Sequence, residues 1–435
     1  MALPPLTEAL QPSLESLDEA LHEEARLRQT APGGRRPVQV LYGGAHLFKA
    51  AAVARMGELA RSAMETHAPD GATFAHALGL SLTPAQATDL RARVLAKLSR
   101  EPVEDLRIDF EDGYGVRPDD EEDGHADAAG VALREAQRAS ALPPFIGIRL
   151  KAMAGRSARR ALRTLERVAA ALGSEPIPGL ALTLPKVSVP AQVELLRRAA
   201  EALEHRLGWP PGAVALELMV ETPAALIGRD GRVAVLGLVE AAGGRCRSVH
   251  IGPYDLTAAL GISAAEQWLG HPSVELARRL LQLALAGSGV TVSDGPTTLL
   301  PVGPHKQPKT DAERAANREA VFRAWTRTAD DVRRACRDGI LQGWDLHPAQ
   351  LPARYGALFA VLREELPTAV ARLRKFLDQA AQATRLGAVF DDAATARGLL
   401  NGLVRAVECG AASSSEVEAA LEHPLESART TLAPR

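Results

Sequence analysis

Polar and charged residues end a series of short apolar runs in this 435-residue chain, and their types indicate what chemistry they could perform. The residues at these endings are Asp109, Glu111 and Asp112, followed along the chain by Arg149, Lys186, Glu221, Asp255, Asp294 and His347. Carboxylates bind divalent cations, and arginine and lysine bind anions. The set therefore indicates an enzyme that handles a metal ion and a small anionic substrate.

The second run, at residues 106–113, concentrates charge on one face. Side chains alternate between the two faces of a strand, so Arg107, Asp109 and Glu111 share one face, and the residues that alternate with them are apolar. A lone buried charge is costly, so we expect these side chains to neutralise one another, with Arg149 of the next run as a partner. A purely structural ion network is the alternative for each of them.

Glu221 and Asp255 are the candidate metal ligands. They end the fifth and sixth runs, and Glu217 shares a strand face with Glu221. Mg²⁺ prefers one or two carboxylates, with water and substrate oxygens completing its coordination. No cluster of His and Cys in the sequence suggests zinc or a redox metal.

The basic endings are candidates for substrate binding. Arg149 suits a substrate carboxylate or a developing enolate oxygen, and it could also pair with Glu111. Lys186 could form a Schiff base, but an electrostatic or structural role is favoured, because Schiff-base chemistry needs no neighbouring metal. Asp294 and His347 are assigned to the same substrate site, and a histidine that only satisfies a strand end is the alternative for His347.

The role of the segment after the first run stays open. His46 and Lys49 stand there, where an anion site is one alternative. Its glycine pair, Gly43 and Gly44, is a weak phosphate signal, because paired glycines mostly mark turns.

The elements that must position these residues are eight short apolar runs, almost all separated by helix-like stretches. The runs cover residues 38–44, 106–113, 145–151, 180–187, 214–222, 248–255, 289–295 and 339–348. Eight strand–helix units are what a closed (β/α)8 barrel, or TIM barrel, requires. Its active site lies at the carboxyl ends of the strands, which is where the polar endings fall.

The remaining chain divides into flanking helical segments. We expect an N-terminal helical arm over residues 1–36, the barrel over 37–350 and a C-terminal helical extension over 351–435. Within the barrel the sequence predicts an inserted helix near 84–98 capped by Thr83, an acidic loop at 119–123 and a long helix over 311–337. Residues 295–305 read as a loop over the barrel mouth.

Composition excludes several classes of protein. The formal net charge is −2 and 24% of residues are charged, so neither nucleic acid nor a membrane surface is expected as the partner. No apolar run reaches the length of a membrane span, and Met1–Gln11 does not resemble a secretory signal. Three widely spaced cysteines, Cys246, Cys336 and Cys409, suggest reduced thiols in a cytoplasmic protein.

Six short motifs, in order, resemble those of one family. They are the segments 109–112 (DFED), 147–149 (GIR), 184–187 (LPKV), 220–222 (VET), 252–256 (GPYDL) and 347–350 (HPAQ). Together they are similar to the HpcH/HpaI aldolase and citrate lyase β-subunit family, which includes malyl-CoA lyases, and more distantly to malate synthases. The resemblance covers roughly residues 106–350.

The resemblance implies a barrel, dependent on Mg²⁺ or Mn²⁺, that makes or breaks a carbon–carbon bond beside a carbonyl group. Glu221 and Asp255 would hold the metal, and Arg149 would bind the oxo-acid or enolate oxygen. Asp109, Glu111 and Asp112 would organise that arginine and the waters of the metal. Asp391 matches an acid/base residue that closes a neighbouring subunit's site, which implies a homo-oligomer, a trimer or hexamer; a helix N-cap is the alternative for Asp391.

The first loop departs from that family, because the basic residues that bind coenzyme A are not evident there. The insertion before the second run and the loop after the seventh run are also longer than expected. Use of a coenzyme A thioester therefore stays open. The leading hypothesis is a Mg²⁺-dependent lyase for a small hydroxy or oxo acid, or its thioester. The alternatives are a malate-synthase-like acyltransferase and a non-catalytic barrel that binds an oxo acid.

Overall fold

Eight parallel strands close into one barrel in the computed structural model, which describes residues 10–27, 34–386 and 393–432. The strands, in chain order, are β1 Gln39–Gly44, β2 Asp105–Asp109, β3 Phe145–Arg149, β4 Leu180–Leu184, β5 Ala215–Val220, β6 Cys246–Ile251, β7 Thr291–Asp294 and β8 Gln342–Asp345. Each strand pairs with the next, and β8 returns to β1. The predicted (β/α)8 barrel is confirmed.

Helices surround the barrel and extend it at both ends. Those that belong to the N-terminal arm and the barrel are α1 Gln11–Leu27, α2 Ala52–His67, α3 Gly71–Ala77, α4 Pro84–Arg100, α5 Asp119–Arg138, α6 Gly155–Ala170, α7 Pro190–Leu207, α8 Pro223–Leu226, α9 Ala234–Ala241, α10 Pro253–Ala259, α11 Pro272–Leu285 and α12 Asp311–Arg337. The C-terminal helices are α13 Leu351–Leu386, α14 Ala393–Cys409, α15 Ser414–Leu421 and α16 Leu425–Thr431.

The barrel separates an outer apolar core from a small inner one. The outer core lies between strands and helices, and Leu106 and Ile108 of β2 belong to it. The inner cluster consists of Val40, Tyr42, Met219 and Trp344. The remaining interior is polar and charged, so the barrel axis is filled by ion pairs as well as by packed side chains.

Arg107 is one of these buried charges. Its side chain is fully buried and donates to Glu217 at 2.6 and 2.5 Å and to Asp105 at 2.8 Å. Because two carboxylates surround it, burial does not leave an unpaired charge. Arg107 therefore does not join the expected network with Asp109 and Glu111: it lies below the strand ends and pairs with Asp105 of its own strand and Glu217 of β5.

Local signals explain where several helices begin. Thr83 caps α4, accepting from Gln86 N–H at 3.3 Å, and the Gln86 side chain returns a bond to Thr83 N–H at 3.0 Å, as a capping box does. The predicted N-cap is confirmed. The long helix predicted over 311–337 is α12, which Thr310 caps in the same way.

Two details differ from the sequence predictions. The acidic residues 119–123 form the first turn of α5 and not a loop, because carboxylates are favourable near the positive end of a helix dipole. Arg160 of α6 also donates to Asp123 at 2.6 Å, which anchors that turn. The inserted segment contains an additional helix, α3, which Asp70 caps by accepting from Thr73 N–H at 2.8 Å.

The loop after β7 is fastened to its surroundings. The Thr297 hydroxyl donates to Asp331 of α12 at 2.9 Å, and the Gln350 amide donates to Thr297 O at 2.8 Å. Tyr254 also donates to Pro296 O at 2.9 Å. The start of this loop is therefore held against the carboxyl ends of the strands.

None of the helices in the described ranges combines the length and the apolar character that crossing a membrane requires. The three cysteines are free thiols.

Candidate functional site

The carboxyl ends of β2 and β3 place Asp109 and Arg149 side by side. These residues are register partners in the two strands. Arg149 Nε donates to Asp109 Oδ1 at 2.7 Å, and Nη2 donates to Oδ2. Two parallel bonds of this kind fix the plane of a guanidinium as well as its position.

The Arg149 guanidinium is also held by aromatic rings. Its central carbon lies 4.9 Å from the centre of the Tyr42 ring and 5.9 Å from that of Trp344. Its Nη1 lies 3.4 Å from Glu111 and 4.0 Å from Asp112. Burial alone would lower the pKa of Arg149, but Asp109 and Glu111 outweigh it and hold that pKa above its ordinary value. The site thus contains a fixed, permanently charged donor.

Lys186 connects the ends of four strands. Its backbone N–H donates to Glu221 Oε1 at 2.6 Å, and its Nζ donates to Glu111. The same Nζ lies 3.3 Å from both Asp112 oxygens and 3.4 Å from Asp255 Oδ2. The backbone of Lys186 has φ +51°, a left-handed conformation that costs a residue with a side chain roughly 1–3 kcal/mol.

The charge state of Lys186 bears on the Schiff-base alternative. Burial would lower its pKa, but Glu111, Glu221 and Asp112 together raise that pKa above the ordinary lysine value. A protonated amine has no free electron pair for attack on a carbonyl. The structure therefore favours the electrostatic role of Lys186.

Glu221 is the buried acid of the cluster. Glu221 is 2% exposed. This burial raises the pKa of its carboxyl group to about 8; Asp255 and Glu111 add to the increase, and Lys186 opposes it. Space for the carboxylate depends on Gly252, because a Cβ there would lie 2.4 Å from Glu221 Oε2. Asp255, at the start of α10, contributes a more accessible carboxylate.

The residues present fit a divalent cation. Five carboxylates (Asp109, Glu111, Asp112, Glu221 and Asp255) face two cations (Arg149 and Lys186), which leaves two excess negative charges while Glu221, with its pKa of about 8, is protonated and three once it is ionised. Within the described ranges no group of three or more His, Cys, Asp or Glu side chains surrounds one metal position. Two carboxylates with open positions for water and substrate is the pattern that Mg²⁺ prefers.

Two residues assigned to substrate binding make other contacts. Asp294 is 3% exposed, and Arg278 of α11 donates to it at 2.9 Å, so its carboxylate is turned to the outer helix and away from the cluster. The Asp294 prediction is corrected on this geometry. The His347 ring accepts from Ala349 N–H at 3.1 Å and caps a short 3₁₀ turn, and burial lowers its pKa.

The two candidate residues after β1, His46 and Lys49, lie in different surroundings. The His46 ring packs against Tyr114, with 5.7 Å between ring centres, beside the loop that carries Glu111 and Asp112. Lys49 is exposed. Asp391 lies outside the described residues, so its assignment stays a prediction.

Tyr42 and Trp344 are the residues that sequence reasoning missed. Both sit on strands that are buried on either side, where alternation does not tell the inner face from the outer one. The register shows their direction, because Val40 opposes Trp344 and Tyr42 opposes Arg107, a residue already expected to point inward, but this register is not visible in the sequence.

The family model of the domain of unknown function DUF6986 matches residues 20–433. No curated protein matches the chain. Similar solved structures include RipC from Yersinia pestis, which is 18% identical, with 60% of this chain and 90% of that chain covered and a TM-score of 0.40. Similarity at this level carries no inference about activity.

Two further solved structures were determined with ligands. The malate synthase of Haloferax volcanii, in a complex with magnesium and glyoxylate, is 15% identical, with 73% and 74% of the two chains covered and a TM-score of 0.44. The citrate lyase beta subunit of M. tuberculosis, complexed with oxaloacetate and magnesium, is 17% identical, with 76% and 98% covered and a TM-score of 0.39.

Proposed function

We propose that this chain, which belongs to the DUF6986 family, is a carbon–carbon lyase that depends on Mg²⁺ or Mn²⁺ and acts on a small hydroxy or oxo acid or its thioester. One observation carries the proposal. At the carboxyl ends of the strands, a rigidly held arginine adjoins a carboxylate cluster with excess negative charge, in which Glu221 is buried beside Asp255.

Glu221 and Asp255 would hold the cation, and it would supply Lewis-acid polarisation of a substrate carbonyl. The excess negative charge of the cluster supports this assignment, since a divalent ion would largely offset it. The open side of the site, where Asp255 and Asp112 are accessible, leaves room for substrate oxygens.

Arg149 would stabilise the charge that develops during cleavage. As the bond between the two carbons breaks, the hydroxyl proton leaves and the electron pair passes to the enolate fragment. Asp109 holds Nε and Nη2 of Arg149, and Nη1, which lies 3.5 Å from Met219 Sδ and 3.4 Å from Glu111, would donate to the enolate oxygen. A donor fixed in advance need not reorganise during the reaction, which is why such groups lower barriers effectively.

The acid/base group is assigned by resemblance. Asp391 would move the hydroxyl proton, and Lys186 would pair with a carboxylate of the substrate. Glu111 and Asp112 would position both Lys186 and Arg149, since they contact both cations.

The test is incubation with Mg²⁺ and a panel of hydroxy acids, oxo acids and their coenzyme A thioesters, read by mass spectrometry. We expect metal-dependent cleavage that is lost in E221Q and D255N and retained in E240Q, a change at an exposed position of α9. Full turnover after metal removal would overturn the proposal. Product from acyl-CoA plus glyoxylate alone would identify an acyltransferase, and binding without product would identify a non-catalytic barrel.

A further inference from the structure

The Lys186 ammonium lies among the carboxylates that would attract a metal ion. Nζ donates to Glu111 and lies 3.3 Å from Asp112 and 3.4 Å from Asp255, which come from the ends of β2 and β6. The backbone of the same residue donates to Glu221 at 2.6 Å. One lysine thus contacts four of the five carboxylates in the cluster.

This arrangement differs from an ordinary surface ion pair. The Lys186 side chain is only 33% exposed, and its partners belong to different strands. Surface pairs hold one flexible side chain against another and contribute little. Here the backbone of Lys186 adopts the left-handed region at φ +51°, and in this conformation its N–H donates to Glu221 while Nζ donates to Glu111.

We propose that Lys186 is a resident counter-ion, which a divalent cation displaces when it binds to Glu221 and Asp255. This inference rests on the proposed function. Nζ lies 3.4 Å from Asp255, one of the two proposed metal ligands, so a divalent ion bound there would repel the ammonium at close range and one of the two would have to move. The lysine side chain is the flexible partner, with four rotatable carbons and one-third of its surface already facing solvent.

Displacement would couple metal and substrate. The freed ammonium would remain tethered at the rim, where it could pair with the carboxylate of an anionic substrate. Metal binding would therefore prepare the substrate site, and the metal-free protein would keep its acidic cluster neutralised in part by its own side chain.

The first test is the affinity of the metal-stripped full chain for Mn²⁺, measured by electron paramagnetic resonance without any substrate. We expect K186M to bind Mn²⁺ at least about tenfold more tightly than wild type, because a competing positive charge is gone. K186R, which keeps the charge, should bind no more tightly than wild type. Equal or weaker binding by K186M would overturn the inference.

The second test keeps the wild-type sequence. Reductive methylation of lysines with formaldehyde and cyanoborohydride, read by peptide mass spectrometry, reports how free each ammonium is. Saturating Mg²⁺ should make labelling of Lys186 several-fold faster and leave that of Lys375, an exposed residue of α13, unchanged. Unchanged labelling of Lys186 would overturn the inference, and this test decides if K186M does not fold.

The outcomes separate the two proposals. Equal Mn²⁺ binding by wild type and K186M would overturn the role of Lys186 and leave the metal site standing. Binding by K186M alone would show that the cation does not displace Lys186, and would overturn both the inference and the metal dependence of the natural protein. Binding by neither would overturn both.

Discussion

Arg149 shows how much one functional group depends on its neighbours. Asp109 fixes its plane, two aromatic rings cover its face, and only Nη1 is left toward the open cluster. A lysine can carry the same charge but cannot make two parallel bonds to one carboxylate.

We therefore expect R149K to lower kcat/KM about 100-fold or more, the size of effect seen when one fixed donor to a developing oxyanion is lost. Its circular dichroism spectrum should match that of wild type. Turnover within a few-fold of wild type would contradict the assignment of Arg149 to the transition state.

His250 predicts a pH dependence of stability. It is fully buried in the barrel, between the Tyr42 hydroxyl at 3.0 Å and the Ser248 hydroxyl at 3.0 Å, and burial lowers its pKa to about 4. The unfolded chain would bind this proton near pH 6.5 and the folded chain only near pH 4. The contribution of neutral His250 to the free energy of unfolding is therefore fully present above pH 6.5, and it is lost as the pH decreases toward 4.

The full loss from this group is about 3 kcal/mol. Urea unfolding of wild type and H250Q between pH 7.5 and 4.5 measures it, and the slope of the unfolding free energy against pH should be smaller in H250Q. Identical slopes would show that the histidine does not titrate as its burial requires.

Predictions for single residues succeeded where the alternation of strand faces and the pairing of opposite charges indicated the same position. They failed where a side chain at a strand end could point either into the barrel or toward the outer helices. Asp109 and Arg149 were expected to pair, and they do. Asp294 also ends a strand, but Arg278 on the helix outside draws its carboxylate away. The left-handed backbone conformation of Lys186 could not be predicted, because glycine is the usual sequence signal for that conformation and this residue is a lysine.

At the scale of elements, the approach of β6 to β5 determines where Glu221 can lie. Gly252 N–H donates to Val220 O at 3.0 Å, which brings its α-carbon against the Glu221 side chain. A methyl group there would lie 2.4 Å from Oε2 and 2.5 Å from Cβ of Glu221.

G252A should therefore move Glu221 and weaken metal binding about tenfold or more, as loss of support for a ligand commonly does. Isothermal titration with Mn²⁺ measures the affinity. G237A is the matched control, because a Cβ there meets only Pro190 at 4.0 Å. Equal affinities of G252A and wild type would show that the ligand has room to adjust.

Elements were predictable where their signals were local. The capping box of Thr83 and the extent of α12 could be predicted from residues that are neighbours in the sequence. The start of α5 was not, because the acidic run 119–123 suits both a solvated loop and a helix N-terminus, and the choice depends on arginines of α6 that pack against it.

At the scale of the whole molecule, the barrel followed from eight polar-ended runs, whereas the prediction that Asp391 closes the site lies outside the described residues. The resemblance assigns Asp391 to a neighbouring subunit's site, so a homo-oligomer, a trimer or hexamer, stays a prediction. Light scattering after gel filtration would measure the subunit number.

Shared sites have a specific consequence. E221Q and D391N would each be inactive alone, but unfolding and refolding them together should restore part of the activity, because some sites would then combine an intact Glu221 with an intact Asp391. No recovery in mixed oligomers would contradict a site built from two chains.

The most direct test of the central claim is a count of Mn²⁺ sites by isothermal titration of the metal-stripped chain. We predict one site per chain in wild type and in E240Q, with affinity at least about tenfold weaker in E221Q and D255N. Unchanged binding in both acidic variants, or no site in wild type, would contradict the assignment of Glu221 and Asp255 to a divalent cation.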